Sequence, residues 1–138
     1  MRLHKDTKVD LLKGVPLFAA CSKAELQRIA SLADELDLGE GATLIREGER
    51  GREFIVIVEG SVRVTRGGRK LRELGAGDFI GEIALVSDVP RTATVTATTP
   101  VRLLVITDRA FRGLIEQMPS IATKVLQSLG ERLHADAV

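Results

Sequence analysis

Polar and apolar positions change their spacing twice along the chain, from helical to alternating and back to helical. Near the start, Leu26, Ile29, Ala30 and Ala33 recur at the spacing of one helix face. Ser22 and Glu25 precede them as an S-x-x-E capping box, in which each side chain satisfies a backbone N–H at a helix start. A helix over about 23–34 is predicted, with Cys21 and Leu26 at the two hydrophobic-staple positions around the cap. Cys21 is therefore read as a packing residue rather than a nucleophile. A short helical turn over 8–13, closed by Gly14 and Pro16, comes before it.

The middle of the chain alternates. Val62 and Val64 interleave with Ser61, Arg63 and Thr65, and Ala93, Val95 and Ala97 interleave with Thr92, Thr94, Thr96 and Thr98. Period two with polar partners describes half-buried strands. Strands are predicted over 42–46, 53–59, 61–66, 69–74, 91–98 and 101–106, with a tight hairpin at Gly67-Gly68. After residue 106, Thr107 can cap a helix carrying Phe111, Leu114 and Ile115, which Pro119 ends or redirects. In a second helix Ala122, Leu126, Leu129 and Leu133 make a heptad-like seam, suited either to packing on the barrel or to a dimer interface. The expected fold class is mainly β with flanking helices: a small jelly-roll β-barrel over about 36–106, N-terminal helices, and two C-terminal helices over about 108–135. Residues 1–138 are expected to form a single domain.

Composition narrows the functional classes. Twenty Lys and Arg against 19 Asp and Glu leave a net charge of +1, so no global attraction to nucleic acid or an anionic membrane is expected. The aromatics are four Phe, which argues against a stacking platform for single-stranded bases. One cysteine excludes an internal disulfide and a cysteine-ligated zinc or iron–sulfur site within the chain, and a reduced, cytoplasmic setting is expected. His4 and His134, both near the chain ends, do not suit a metal site inside a barrel, so no metal is expected. The longest fully apolar run, residues 54–58, falls far short of the roughly 18 residues that a membrane span needs. The charged N-terminus does not read as a secretory signal. Arg63, Arg66, Arg69, Lys70 and Arg72 form a basic hairpin, read as protection of a sheet edge rather than a nucleic-acid surface.

Chemistry concentrates in residues 77–95, GDFIGEIALVSDVPRTATV. Gly81 allows a sharp turn or a close backbone approach, and the next five residues have the length of one helical turn. A helix start offers N–H groups to an anion, and Arg91 can grip two phosphate oxygens at once. Glu82 has the opposite preference and suits a neutral donor such as a ribose hydroxyl. One anion gripper and one hydroxyl acceptor within ten residues describe a nucleotide-like ligand of low charge. The competing reading is a surface ion pair between Glu82 and Arg91.

The run GEIALVSDVPRTATV resembles the phosphate-binding cassette of cyclic nucleotide-binding domains, found in protein kinase regulatory subunits, cyclic nucleotide-gated channels and catabolite-activator-type regulators. Gly41, Gly48, Gly60 and Gly77, with FIVIVEGSVRV, resemble that family's barrel framework. The resemblance implies that Arg91 pairs with the exocyclic oxygens of the cyclic phosphate and that Glu82 accepts from the ribose 2′-hydroxyl. It places backbone N–H groups near Ile83 and Ala84, and the Thr92 backbone, in the phosphate cradle beside Gly81. The Thr92 hydroxyl would lie near the purine or the phosphate. Ile80 stands where the family usually carries an aromatic, with Phe79 one residue earlier, which bears on local packing. The implied function is a non-catalytic sensor with cAMP, rather than cGMP, as regulatory ligand. A hinge near 107–119 would swing the last helix, with Ile121, Val125 or Leu129 covering the base. Output would pass to a homodimer or effector protein, since two helices use the residues after Val105. The rival reading is a dimerisation or partner-docking module whose pocket is vestigial or holds another small anion.

Overall fold

A computed structural model describes residues 3–136, with side chains described as far as residue 131. The chain divides into two compact units, Asp34–Arg109 and the helical segments before and after it.

The strand unit holds β1 (Asp34–Leu38), β2 (Thr43–Ile45), β3 (Glu53–Glu59), β4 (Val62–Arg66), β5 (Arg69–Leu74), β6 (Phe79–Ile80), β7 (Thr94–Ala97) and β8 (Val101–Thr107). They form two antiparallel four-stranded sheets in the orders β1-β8-β3-β6 and β2-β7-β4-β5. This is the expected jelly roll, but the two sheets are not hydrogen-bonded into a closed barrel. Ile55, Ile57, Val101 and Leu103 of the first sheet meet Ile45, Val62, Val64, Val95 and Ala97 of the second in one buried cluster. The alternation at Val62/Val64 and Val95/Ala97 thus marks inner-face positions. β3 is buried at four successive residues, Phe54 to Ile57, because both faces of this inner strand are covered.

Three strands differ from expectation: β1 and β6 are additional, β6 because Phe79 and Ile80 pair with Val56 and Ile55 of β3, and β7 is shorter. β1 takes residues that the helical pattern of 23–34 reaches toward, because Asp34 to Leu38 pair along β8 from Val105 to Val101. The strand expected over 91–98 is only Thr94–Ala97, so Arg91 lies in the preceding loop. The β4–β5 hairpin turns at Gly67 and Gly68 with φ of 57° and 80°, the two positive values that a two-residue turn of this kind requires. β5 is the basic sheet edge; Lys70 and Arg63 share Glu73, at 3.1 and 3.8 Å.

The helical unit contains α1 (Lys5–Lys13), a short 3-10 turn (Pro16–Phe18), α2 (Lys23–Ala30), α3 (Asp108–Gln117), which begins at the unit boundary, and α4 (Pro119–Asp136). α1 starts three residues earlier than its apolar pattern suggests because His4 caps it, Nδ1 accepting from the Asp6 N–H. The capping box of α2 is formed: the Glu25 N–H donates to Ser22 Oγ at 3.2 Å, and the Ser22 N–H donates to Glu25 Oε1 at 2.8 Å. Phe18 and Phe111 pack with ring centroids 5.9 Å apart. Thr107 closes β8 immediately before α3, and Pro119 opens α4, where its missing N–H costs no intrahelical bond.

The side chains that α4 buries are Ile121, Val125 and Ser128, whereas in the heptad-like seam Leu126 is 68% exposed and Ala122 and Leu129 are partly exposed. The buried stripe thus contains a serine and two β-branched residues and lies beside the seam. Leu133 lies beyond the described side chains. Cys21 is half-buried and its thiol is pushed up to about 11, chiefly by burial, as a packing residue requires.

Glu25 is the charged centre of this unit, 5% exposed. Besides the Ser22 N–H it accepts from Ser120 Oγ at 2.7 Å and from the Lys124 ammonium. The Lys124 hydrogen bond, then the Ser22 N–H, hold its carboxyl down at about 2 against the opposing effect of burial. A depressed carboxyl stabilises the fold above its ordinary value of 4.5 and loses that contribution as pH falls towards 2. Glu25→Gln is expected to cost about 1.5–3 kcal/mol at pH 7, the usual range for hydrogen bonds to a charged group. It should also flatten the decline in stability between pH 4.5 and 2. Denaturant midpoints across that range check both; parallel curves for parent and variant would assign the acid sensitivity elsewhere.

Candidate functional site

The site lies wholly in the strand unit, where the loop of residues 48–53 runs alongside residues 88–91. The Gly48 N–H donates to the Arg91 carbonyl at 2.8 Å, and the Arg91 N–H donates to the Glu49 carbonyl at 2.7 Å. The Gly51 N–H reaches the Val89 carbonyl at 3.3 Å, and Arg50 pairs with Asp88 at 2.7 Å. This ladder holds the backbone of Arg91 in place although the residue belongs to no strand.

The Arg91 side chain is 10% exposed. Its Nη2 donates to the Glu53 carbonyl at 2.5 Å and stands 3.8 Å from the Glu53 carboxylate. Burial draws the guanidinium below its ordinary pKa while the Glu53 carboxylate opposes that shift. Arginine's high ordinary value keeps it cationic. Two glycines make room for it. A Cβ on Gly51 would lie 2.7 Å from Arg91 Nε, and one on Gly81 would lie 2.1 Å from Nη1 and 3.1 Å from the Glu53 carbonyl. Gly81 also has φ of 79°, which suits glycine. The ion pair considered for Arg91 with Glu82 is thus replaced by one with Glu53, 38 residues away in sequence and at the start of β3.

Gly81 caps a 3-10 turn over Glu82–Leu85, the single turn that the sequence suggests. Its Ala84 N–H donates to the Gly81 carbonyl at 3.0 Å, so that amide is engaged within the turn. Ile83 is partly exposed, while Ala84 and Glu82 are buried, Glu82 at 5%. Phe79 packs edge-on to Phe54 at 6.1 Å, and Ile80 lines the cavity.

A cavity of about 410 Å³ opens beside the turn, within the range of small-molecule sites. Gly81, Ile83, Ala84, Arg91 and Thr92 line it, together with Ile45, Ile80, Val89, Pro90, Ala93 and Val95. Five of the six residues singled out in the sequence therefore converge on one cavity; Glu82 is buried and not part of its lining. The lining is largely apolar, with Arg91 as its charged group. Arg66 Nε donates to the Thr92 carbonyl at 2.8 Å and so ties the hairpin to the rim. Sequence reasoning missed Gly51 and Glu53, for which no spacing signal exists. The apolar lining was equally hidden, since its residues come from β2, β6, β7 and the connecting loops.

The family model of the cyclic nucleotide-binding domain matches residues 35–118. The chain is 40% identical over 139 residues to the cAMP-dependent protein kinase regulatory subunit of Mycosarcoma maydis, covering 91% of this chain and 26% of that protein. It is 39% identical over 122 residues to a cyclic nucleotide-gated potassium channel of Rhizobium etli, covering 88% of this chain and 34% of the channel. Among solved structures, the N-terminal domain of a transcriptional regulator from Streptomyces coelicolor A3(2) matches with a TM-score of 0.86 and 32% identity, covering 92% and 94% of the two chains. The chain belongs to the cyclic nucleotide-binding domain family. It spans about a quarter to a third of the length of these curated relatives. No helix among the described residues is long and apolar enough to cross a membrane.

The two glycines make separable predictions. Gly81→Ala is expected to cost about 1–2 kcal/mol for the left-handed backbone, as well as displacing Arg91. Gly51→Ala carries no such backbone penalty and should act through Arg91 alone. Denaturant midpoints should fall clearly for Gly81→Ala and less for Gly51→Ala; equal losses would remove the distinction.

Proposed function

We propose that this protein is a non-catalytic cyclic nucleotide sensor that prefers cAMP to cGMP and signals through α4. The observation that carries the reading is Arg91, a nearly buried cation held between two glycines at the wall of an otherwise apolar cavity. Such a group costs desolvation and is positioned for an anion that brings an apolar body with it. A cyclic phosphate monoanion joined to a purine has that combination. Arg91 would exchange the Glu53 carbonyl for the exocyclic oxygens. Glu82, buried outside the lining as the turn now stands, would accept from the ribose 2′-hydroxyl once the turn re-aims, and the Thr92 backbone and hydroxyl would contact the phosphate or base edge.

For the Ile83 and Ala84 amides to join the cradle, the 3-10 turn must re-aim, because Ala84 now donates to Gly81. Ligand binding would therefore tighten the turn and, through the segment of residues 107–119, bias the position of α4. The effect is limited to the ligand's differential affinity for the two helix positions. The preference for cAMP draws on the relative named as a cAMP-dependent kinase regulatory subunit and on the apolar lining. The exposed Leu126 face of α4 offers the surface for a homodimer or effector protein.

Calorimetric titration with cAMP, cGMP and 5′-AMP side by side tests the reading. Micromolar or tighter binding of cAMP, weaker cGMP and much weaker 5′-AMP are expected. Arg91→Ala should weaken cAMP roughly 10- to 150-fold, the equivalent of a charged hydrogen bond. Unchanged affinity in that variant would remove Arg91 from the phosphate site. Hydrogen exchange over residues 108–131 that stayed constant at saturating cAMP would refute the helix movement while leaving binding intact.

A further inference from the structure

Glu25 sits within the helical unit, apart from the cavity, and the proposed site does not use it. Its Oε1 accepts from the Ser22 N–H and the Lys124 ammonium, and its Oε2 accepts from Ser120 Oγ. Ser120 and Lys124 are four residues apart on the first two turns of α4, next to the buried Ile121 and Val125. The N-cap of α2 and the base of α4 are therefore joined through one buried carboxylate, with both oxygens engaged. A helix cap needs only the Ser22 contacts. The two donors from α4 are additional, and 95 and 99 residues distant in sequence.

We propose that Glu25, Ser120 and Lys124 form a latch that holds α4 in the position it has while the Ala84 amide is still engaged within its own turn, so that nucleotide affinity includes the cost of releasing it. The inference rests on the reading that nucleotide moves α4. Pro119 starts the helix, so Ser120 and Lys124 belong to its rigid part and travel with it. A displaced α4 cannot keep three-way hydrogen bonding to a side chain fixed by its own N-cap. The carboxyl, held at about 2, stays ionised throughout the physiological range, so helix movement rather than protonation opens the latch. A protein whose competent state is only partly populated binds with an apparent affinity reduced by that fraction. Loosening the latch raises the fraction.

Calorimetric titration of cAMP against the full chain, with hydrogen exchange over residues 119–131, tests this in Lys124→Met, Ser120→Ala and Lys124→Arg. Lys124→Met should bind cAMP about five- to tenfold more tightly, and its nucleotide-free α4 should exchange faster. Ser120→Ala should change affinity in the same direction by less, and serves as the readout if Lys124→Met does not fold. Lys124→Arg, which keeps the cation, should behave as the parent. If cAMP alters α4 exchange in the parent while Lys124→Met and Ser120→Ala bind with parental or weaker affinity, Glu25 is a fixed anchor and the latch is refuted alone. If cAMP binds the parent without altering α4 exchange, the helix-movement reading fails and the latch fails with it.

Discussion

The strand unit is organised around a cation that has been taken out of water. Arg91 gives up most of its hydration and receives a backbone carbonyl and a nearby carboxylate, both from Glu53. A desolvated guanidinium is stable only where its neighbours leave space and supply acceptors. Several local features follow from that requirement. Gly51 and Gly81 lack the Cβ atoms that would occupy its place, and Gly48 and Glu49 of the same loop as Gly51 hold its backbone. The left-handed conformation of Gly81 also starts the 3-10 turn that borders the cavity. Glycine, arginine and turn are one construction, which is why they occur together in the sequence.

A second buried charge organises the helical unit by different means. Glu25 is compensated by one backbone N–H, one hydroxyl and one ammonium, all supplied by groups that its capping role brings near or that α4 presents. Arg91 is satisfied by one carbonyl, with the carboxylate of the same residue nearby. Glu25 is fully satisfied, and its removal leaves donors without an acceptor. The contrast is between a cation held at the edge of a cavity by one residue and an anion whose two oxygens are both engaged.

Local periodicity carried most of the architecture. The capping box at Ser22 and Glu25, the inward Val62/Val64 and Val95/Ala97 pairs, and the Gly67-Gly68 hairpin were all legible, because each depends on residues within a few positions of one another. The limits appear where partners are distant. Asp34 to Leu38 join a sheet because β8 is there to pair with, and residues 91–93 stay out of β7 because residues 48–51 hold them. In α4 the leucines suggested one face, while burial selected Ile121, Val125 and Ser128.

The candidate site divides along the same line. The sequence by itself determined the glycine, glutamate and arginine of one contiguous cassette, since the turn that Gly81 starts carries them on neighbouring residues. Only the tertiary structure decided that Arg91 leans on Glu53 and Gly51, that Glu82 is buried outside the cavity lining, and that Ile45, Ile80 and Val95 line that cavity. Those relations come from strands brought together across 30 to 50 residues. Hydrogen-bond register and close packing choose such neighbours, and neither leaves a spacing in the chain.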